Sequence, residues 1–224
     1  MEASIIIRVK NERENLQKLF EILKNQTYQK FEIIIVDNNS IDGSDRAFFD
    51  FFPKDRVRIL KINKFSYPSA CNLGAEKAQG KYLVYLSAHS FPVLNTWLED
   101  GLSNFGNEKV AGVFAFPKPG PGSTIWEKIS YRVTVINVFK EGHLGNTNSI
   151  IRKDLWEKHK FDESLVEGSE DYEWSKYYKR KGYLIINDPS FSVYHSHNLD
   201  FRGRLNQQKK WNRLRREIDE KFKH

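Results

Sequence analysis

Apolar residues come in short runs along the chain, and each run ends in a polar or glycine-containing stretch. Ile5-Ile6-Ile7 reads as a buried strand, with a polar loop and a helical stretch behind it. A second run, Ile33 to Val36, stops at Asp37. Arg56 to Lys61 predicts a third short strand, and Pro68 to Gln79 a helix that ends at Gly80. Tyr82 to Leu86 is almost continuously apolar, as a strand buried on both faces must be. Trp97 to Phe105 predicts another helix and Val110 to Phe116 another strand, before the Pro-Gly cluster at 117–122 marks a loop or a change of architecture. Ile125 to Phe139, Lys153 to Lys158 and Glu170 to Arg180 read as helical, and Tyr183 to Ile186 as a strand. Strand and helix alternate, so the expected class is α/β with a mostly parallel central sheet flanked by helices.

Composition narrows this further. The chain has 224 residues, 39% hydrophobic and 14% aromatic, which suits one folded domain rather than a disordered segment. Its lone Cys71 cannot form an internal disulfide, and the start at Met1 runs into a charged strand rather than a signal peptide. A reducing, cytoplasmic setting is the expectation. No apolar run approaches the roughly 20 residues needed to span a bilayer.

The net charge is +7, and residues 202–224 hold nine Lys or Arg against three acidic side chains, so the excess belongs to the tail. Leu205, Trp211, Leu214, Ile218 and Phe222 punctuate that tail, the last four at three- or four-residue spacing, which predicts an amphipathic helix. We therefore divide the chain into residues 1–201 and a basic helix at 202–224. Such a helix can pack on its own domain, on a second subunit as a homodimer, or peripherally on the inner face of a membrane. Its charge suits anionic lipid, a polyanionic acceptor or a diphosphate. Nucleic acid is set aside as a partner, because no recognised binding motif accompanies the charge.

Candidate chemistry lies at the ends of the predicted elements. Asp37-Asn38-Asn39-Ser40 follows a strand, where an α/β sheet binds ligands, although these same residue types also build plain turns. There is no G-x-G-x-x-G and no phosphate-binding P-loop motif. Glu167-Gly168-Ser169-Glu170-Asp171 places carboxylates at a helix start, with Ser169 as a cap, where they suit the helix dipole and can also serve as a general base. His195 and His197 would share one face of a strand.

Several short motifs then occur in a telling order: Asn11-Glu12, Val36-Asp37-Asn38-Asn39-Ser40-Ile41-Asp42-Gly43-Ser44, Asn72-Leu73-Gly74, Ala78-Gln79-Gly80 and Glu170-Asp171, continuing to about His197. In this the chain resembles the family-two glycosyltransferases of GT-A fold. The resemblance implies inverting transfer of a sugar from a nucleotide-diphosphate-sugar donor to a hydroxyl on a glycan or lipid-linked acceptor, in cell-surface polysaccharide or glycolipid synthesis.

It also implies roles. Asp171 would be the catalytic base, with Glu170 as neighbour or substitute. Arg8, Asn11, Glu12, Asp37 and Asn39 would surround the nucleoside, with Arg8 also able to pair with Glu12. Asn72 and Ser87 would lie near the ribose or diphosphate. Trp174 would stack on an acceptor sugar, and the loop at Gly145 to Asn148, with Asn146, would lie on the acceptor side.

The family's D-x-D motif is replaced here by Ser87-Ala88-His89, a version similar to that of bacterial rhamnosyltransferase-like members. Loss of both carboxylates weakens a Mg2+ site. His89, with His195 or His197, would instead suit Mn2+. The other reading is metal-independent, with His89 and cationic side chains meeting the diphosphate directly. Two competing classes are a non-catalytic nucleotide- or glycan-binding homologue and a nucleotidyltransferase. The latter usually carries a Gly-rich loop near its first strand, and residues 8–12 contain no Gly.

Overall fold

The computed structural model describes residues 1–120, 122–129, 142–197 and 199–223. Strands β1 (Ala3–Val9), β2 (Phe31–Asp37), β3 (Val57–Lys61), β4 (Tyr82–Ser87), β6 (Val110–Phe114), β7 (Asn148–Arg152) and β8 (Leu184–Asn187) form one seven-stranded sheet in the order β3-β2-β1-β4-β7-β6-β8. Only β7 runs antiparallel to its neighbours. A two-stranded ribbon pairs β5 (Phe91–Pro92) with β9 (Val193–Tyr194). Helices whose full extent lies within the described residues are α1 (Arg13–Lys24), α2 (Tyr67–Lys77), α3 (Trp97–Ser103), α4 (Lys153–Lys158), α5 (Glu170–Arg180) and α6 (Phe201–Lys221). The predicted α/β class, with a mostly parallel sheet flanked by helices, is what the chain adopts.

Alternation along β1 explains why its sequence is apolar throughout. Ile5, Ile7 and Val9 enter one core with Leu16, Leu19, Phe20 and Leu23 of α1. Ile6 enters the other, with Ile34, Val36, Ala70 and Ala75. Both faces are covered, so neither parity of the strand can be polar. The α1 residues follow i, i+3, i+4, i+7 spacing, a single stripe on the sheet.

Helix α2 starts at a reciprocal Ser66–Ser69 capping box with Pro68 in its first turn. It lies so close to β1 that a Cβ added at Gly74 would sit 2.4 Å from Ile6 Cγ2.

Several predicted boundaries move. Strand β6 ends at Phe114, short of Phe116, and α3 gives way at Ser103 to a 3-10 turn over Asn104–Gly106. Residues 125–129 are helical as expected, while 130–139 of that predicted helix lie outside the described residues. Strand β7 was not anticipated, because Asn148-Ser149-Ile150-Ile151-Arg152 is short and begins with polar residues that are nevertheless buried.

The close α2–β1 contact makes a direct prediction. Gly74→Val forces the Ile6 side chain or the helix to shift and should lower stability by about 1–3 kcal/mol, read as a lower denaturant midpoint with an unchanged slope.

Candidate active site

The carboxyl ends of β1, β2 and β4 open on one side of the sheet, and the loops there are pinned to each other. Asn11 and Asn39 both adopt left-handed backbone, with φ 54°. Asn11 Oδ1 accepts from the Ile41 amide at 2.9 Å, and Ser40 Oγ accepts from the Asn11 amide at 2.9 Å. Ser44 Oγ accepts from the Glu12 amide at 2.8 Å, and Asp42 accepts from the Arg13 amide at 2.9 Å. The motif residues Asp42 and Ser44 therefore cap the start of α1, whose N-cap, Glu12, makes no side-chain cap of its own.

A cavity of about 550 Å³ occupies this end of the sheet. Arg8, Glu12, Ser87, His89, Asn146, Glu170, Asp171 and His195, all nominated from the sequence, line it. At one end three imidazoles converge: the ligand nitrogens of His89, His195 and His197 lie within 4.8 Å of one another. Strand β9 stops at Tyr194, so the pair His195 and His197 is delivered by the segment after the strand, with the two Nε2 atoms 3.1 Å apart.

His89 Nδ1 lies 3.0 Å from Glu12 Oε1. This hydrogen bond holds the Glu12 carboxyl below its ordinary value, so Glu12 accepts and Nδ1 carries the proton. That leaves Nε2 of His89 as a buried atom with no hydrogen-bond partner. His195 Nδ1 meets Ser90 Oγ at 3.0 Å. Burial, followed by the nearby His89 and His197, pushes His195 well below its usual range, and burial likewise lowers His197. Imidazoles fixed by outer partners, with charge disfavoured on His195 and His197 and an orphaned nitrogen on His89, fit a divalent cation, and an all-nitrogen set suits Mn2+ or another transition ion better than Mg2+.

The other end is built from α5 and the turn before β7. Gly168 (φ 111°) and Ser169 (φ 72°) are both left-handed, and Ser169 makes no side-chain capping bond, contrary to the expected cap. The Asp171 carboxylate accepts from the Asn146 amide and from the Tyr172 amide, each at 2.8 Å. Glu170 is buried and accepts from the Asn146 side chain at 3.0 Å, with Arg8 Nη1 at 3.8 Å. Burial, and then the charge of Asp171, push the Glu170 carboxyl up to about 7, against the opposing pull of Arg8.

Some expectations are corrected. Arg8 does not pair with Glu12; it donates to the Asn146 carbonyl at 3.0 Å and faces Glu170, leaving Glu12 to His89. Trp174 is fully buried and its Nε1 donates to the His159 carbonyl, so it belongs to the core under α5 and presents no face to an acceptor. Asn72 is buried too, tying α2 to the Phe161 backbone and the Trp156 indole, and it does not line the cavity. Asp37 is fully buried against Lys61 Nζ, at 2.6 Å, and Asn39 donates to the Ile62 carbonyl; the cavity wall there is Asn38. Asn146 is buried as the frame of the carboxylate pair. His143, Tyr67, Arg204, Gln207, Trp211 and Arg215 also line the cavity, none of them among the site residues expected from the sequence. The last four follow three- and four-residue spacing on α6, and Trp211 belongs both to this set and to the apolar stripe of the same helix.

Comparison with known proteins shows the family and the fold. The family model described as glycosyl transferase family 2 matches residues 4–162, ending before α5 and the paired histidines. Glycosyltransferase AglE of Haloferax volcanii is 30% identical over 193 residues, spanning 81% of this chain and 62% of that protein. The GalNAc(5)-diNAcBac-PP-undecaprenol beta-1,3-glucosyltransferase of Campylobacter jejuni is 25% identical over 204 residues, spanning 85% of this chain and 63% of that one. The chain thus covers about three fifths of the length of these relatives.

Among solved structures, the mannosyltransferase PcManGT from Pyrobaculum calidifontis, in complex with GDP-Man and Mn2+, superposes with a TM-score of 0.73 at 16% identity, over 90% of this chain and 58% of that one. S. aureus TarS with UDP-GlcNAc gives 0.65 at 18% identity, over 88% and 58%. At such identities the likeness establishes a shared fold.

Two outcomes are expected from the site. His89→Ala, His195→Ala and His197→Ala should each weaken Mn2+ binding about 10-fold or more, measured by calorimetry or by the paramagnetic signal of free Mn2+. A carboxyl whose pKa rises on folding keeps its proton longer in the folded chain than in the unfolded one, so Glu170 removes stability as pH climbs from its ordinary 4.5 to about 7. Glu170→Gln should flatten that decline in denaturant titrations across the same window.

Proposed function

The chain belongs to glycosyl transferase family 2, and on that premise we propose that it moves a sugar from a nucleotide-diphosphate-sugar donor to an acceptor hydroxyl, with inversion at the anomeric carbon. The observation that carries this reading is the meeting, in one cavity, of a carboxylate held by backbone amides and a cluster of three imidazoles. The complexes of similar fold with GDP-Man and UDP-GlcNAc support the same donor class here. The donor nucleoside lies along the ends of β1 and β2, and its diphosphate points to the histidines. An acceptor that is a glycan or a lipid-linked saccharide enters beside α5, in polysaccharide or glycoconjugate synthesis, in keeping with the lipid-linked oligosaccharide named for the Campylobacter relative.

Asp171 takes the proton of the acceptor hydroxyl as that oxygen bonds to the anomeric carbon from the face opposite the diphosphate. The bond from that carbon to the diphosphate oxygen breaks, and the electron pair leaves with the diphosphate. Two amide donors, from Asn146 and Tyr172, fix the Asp171 carboxylate before substrate arrives, which limits reorganisation during the reaction. The Arg8 ion pair and the hydrogen bond from the Asn146 side chain hold Glu170 behind it as a positioning residue. His89, His195 and His197 would hold a divalent cation, which would supply positive charge to the leaving diphosphate.

The competing reading is a nucleotide-binding homologue without turnover, favoured by Ser87-Ala88-His89 in place of two carboxylates.

Calorimetric titration with UDP, GDP and dTDP, with Mn2+ and with chelator, tests the donor site first. One nucleotide should bind, and more tightly with Mn2+; equal binding with and without chelator would remove the metal from the scheme. With that donor class in hand, Asp171→Asn should lose about 10²–10⁴-fold in turnover while keeping nucleotide affinity. A wild-type protein that binds nucleotide and never releases it from a nucleotide sugar supports the non-catalytic reading.

A further inference from the structure

Helix α6 turns one stripe into the cavity: Arg204, Gln207, Trp211 and Arg215. The intervals of three, four and four residues put them on one face, while Leu214 and Ile218 are buried on another. Its two arginines are eleven residues apart, about 16 Å along the axis. They therefore serve opposite ends of the cavity.

Arg204 stands at the histidine end, where its charge reaches both His195 and His197. Arg215 stands at the carboxylate end. Its guanidinium lies 5.6 Å from the centre of the Tyr172 ring, and its charge reaches His143, whose Nε2 is buried without a hydrogen-bond partner.

The rest of α6 makes Arg215 unusual. Arg213 and Lys210 both reach Glu167, at 2.9 and 3.8 Å, and Lys221 reaches Asp162 at 3.8 Å. Those outward-facing cations dock the helix onto the body through carboxylates. Arg215, facing inward, has an aromatic ring as its partner and forms no ion pair with a described carboxylate. A guanidinium that lines a cavity and forms no such ion pair keeps its donors for an incoming anion, and its fork matches phosphate oxygens.

Between the two arginines, Trp211 lies against Gly168, where an added Cβ would come within 2.9 Å of the indole. Tyr67 is close to the same glycine, so two aromatic side chains border the approach to Asp171. Aromatic faces of this kind suit the apolar face of a sugar ring.

We propose that the α6 side of the cavity recognises an acceptor that carries its own phosphate, a saccharide joined to a phosphate or diphosphate, with Trp211 against the sugar and Arg215 on the phosphate. The assignment rests on the transferase reading, which gives the histidine end to the donor and leaves this end to the acceptor. It narrows the acceptor from any glycan to a phosphorylated one, and gives the basic tail a task inside the cavity rather than on a surface.

The test is calorimetry on the full chain with Mn2+, run with and without a saturating nucleotide diphosphate. The titrants are a panel of hexose 1-phosphates and 2-acetamidohexose 1-phosphates, the same sugars without phosphate, and inorganic phosphate. At least one sugar phosphate should bind about tenfold or more tightly than its free sugar and than inorganic phosphate. Arg215→Gln should erase that difference and leave nucleotide affinity intact, Arg215→Lys should keep most of it, and Trp211→Ala should weaken the phosphorylated and the free sugar alike.

Equal binding of sugar and sugar phosphate, or no sugar phosphate binding at all, would overturn the proposal. So would inorganic phosphate binding as tightly as the sugar phosphates, which would reduce the site to a simple anion hole. Loss of nucleotide affinity in Arg215→Gln would assign Arg215 to the donor instead. Failure of every nucleotide to bind counts against the transferase reading, and the arms run without nucleotide still decide whether Arg215 holds a phosphorylated sugar.

Discussion

Glu170 is buried at the first turn of α5, bonded to the Asn146 side chain and facing Arg8, and the site depends on this contact. Arg8 comes from β1 in the parallel part of the sheet, and Asn146 comes from the turn that starts the antiparallel strand β7. One buried carboxylate thus joins two regions that meet nowhere in sequence. A charge removed from water is costly unless it is paired and hydrogen-bonded, so once Glu170 is inside, Arg8 and Asn146 have little freedom to be elsewhere. The Asn146 amide is then in place to fix Asp171, and the carboxylate that does the proposed chemistry inherits its position from the one that does not.

The opposite end of the cavity is organised by the reverse demand. His195 is buried among other imidazoles, and its surroundings disfavour the charged ring. Glu12 and Ser90 hold the Nδ1 atoms of His89 and His195, so the Nε2 atoms turn inward. The cavity therefore has clustered imidazoles at one end and a pair of carboxyl groups at the other. Helix α6 runs along both, with an arginine at each.

Strain gathers where this machinery meets. Among the described residues the non-glycine positions with positive φ are Asn11, Asn39 and Ser169, all beside the ligand-facing ends of strands or the start of α5. Asn11 is stabilised there by its bond to the Ile41 amide. Ser169 has no such capping bond, and it directly precedes the buried and tethered Glu170. Backbone in such a conformation persists because the surroundings over-determine it.

Much of the architecture was legible in the linear order of residues. The runs at Ile5–Ile7, Ile33–Val36 and Tyr82–Leu86 have no polar parity, which only a sheet covered on both faces requires, and Glu170-Asp171 marked side chains that line the cavity. These are local signals, carried by hydrophobic periodicity and turn chemistry. What stayed hidden is long-range. Trp174 and Trp211 are both aromatic residues on helices, yet one is sealed under α5 and the other lines the cavity, a difference set by which face each helix turns to its neighbours. The pairing of Arg8 with Glu170 rather than Glu12, the burial of Asn72, and the convergence of His89 with His195 and His197 depend on contacts between segments as much as 162 residues apart. By itself the sequence determined the strands, the helices and the types of chemistry available, because those arise from neighbours along the chain. Which side chains share a cavity was decided by the tertiary structure, because burial and charge pairing act between elements the chain order does not place together.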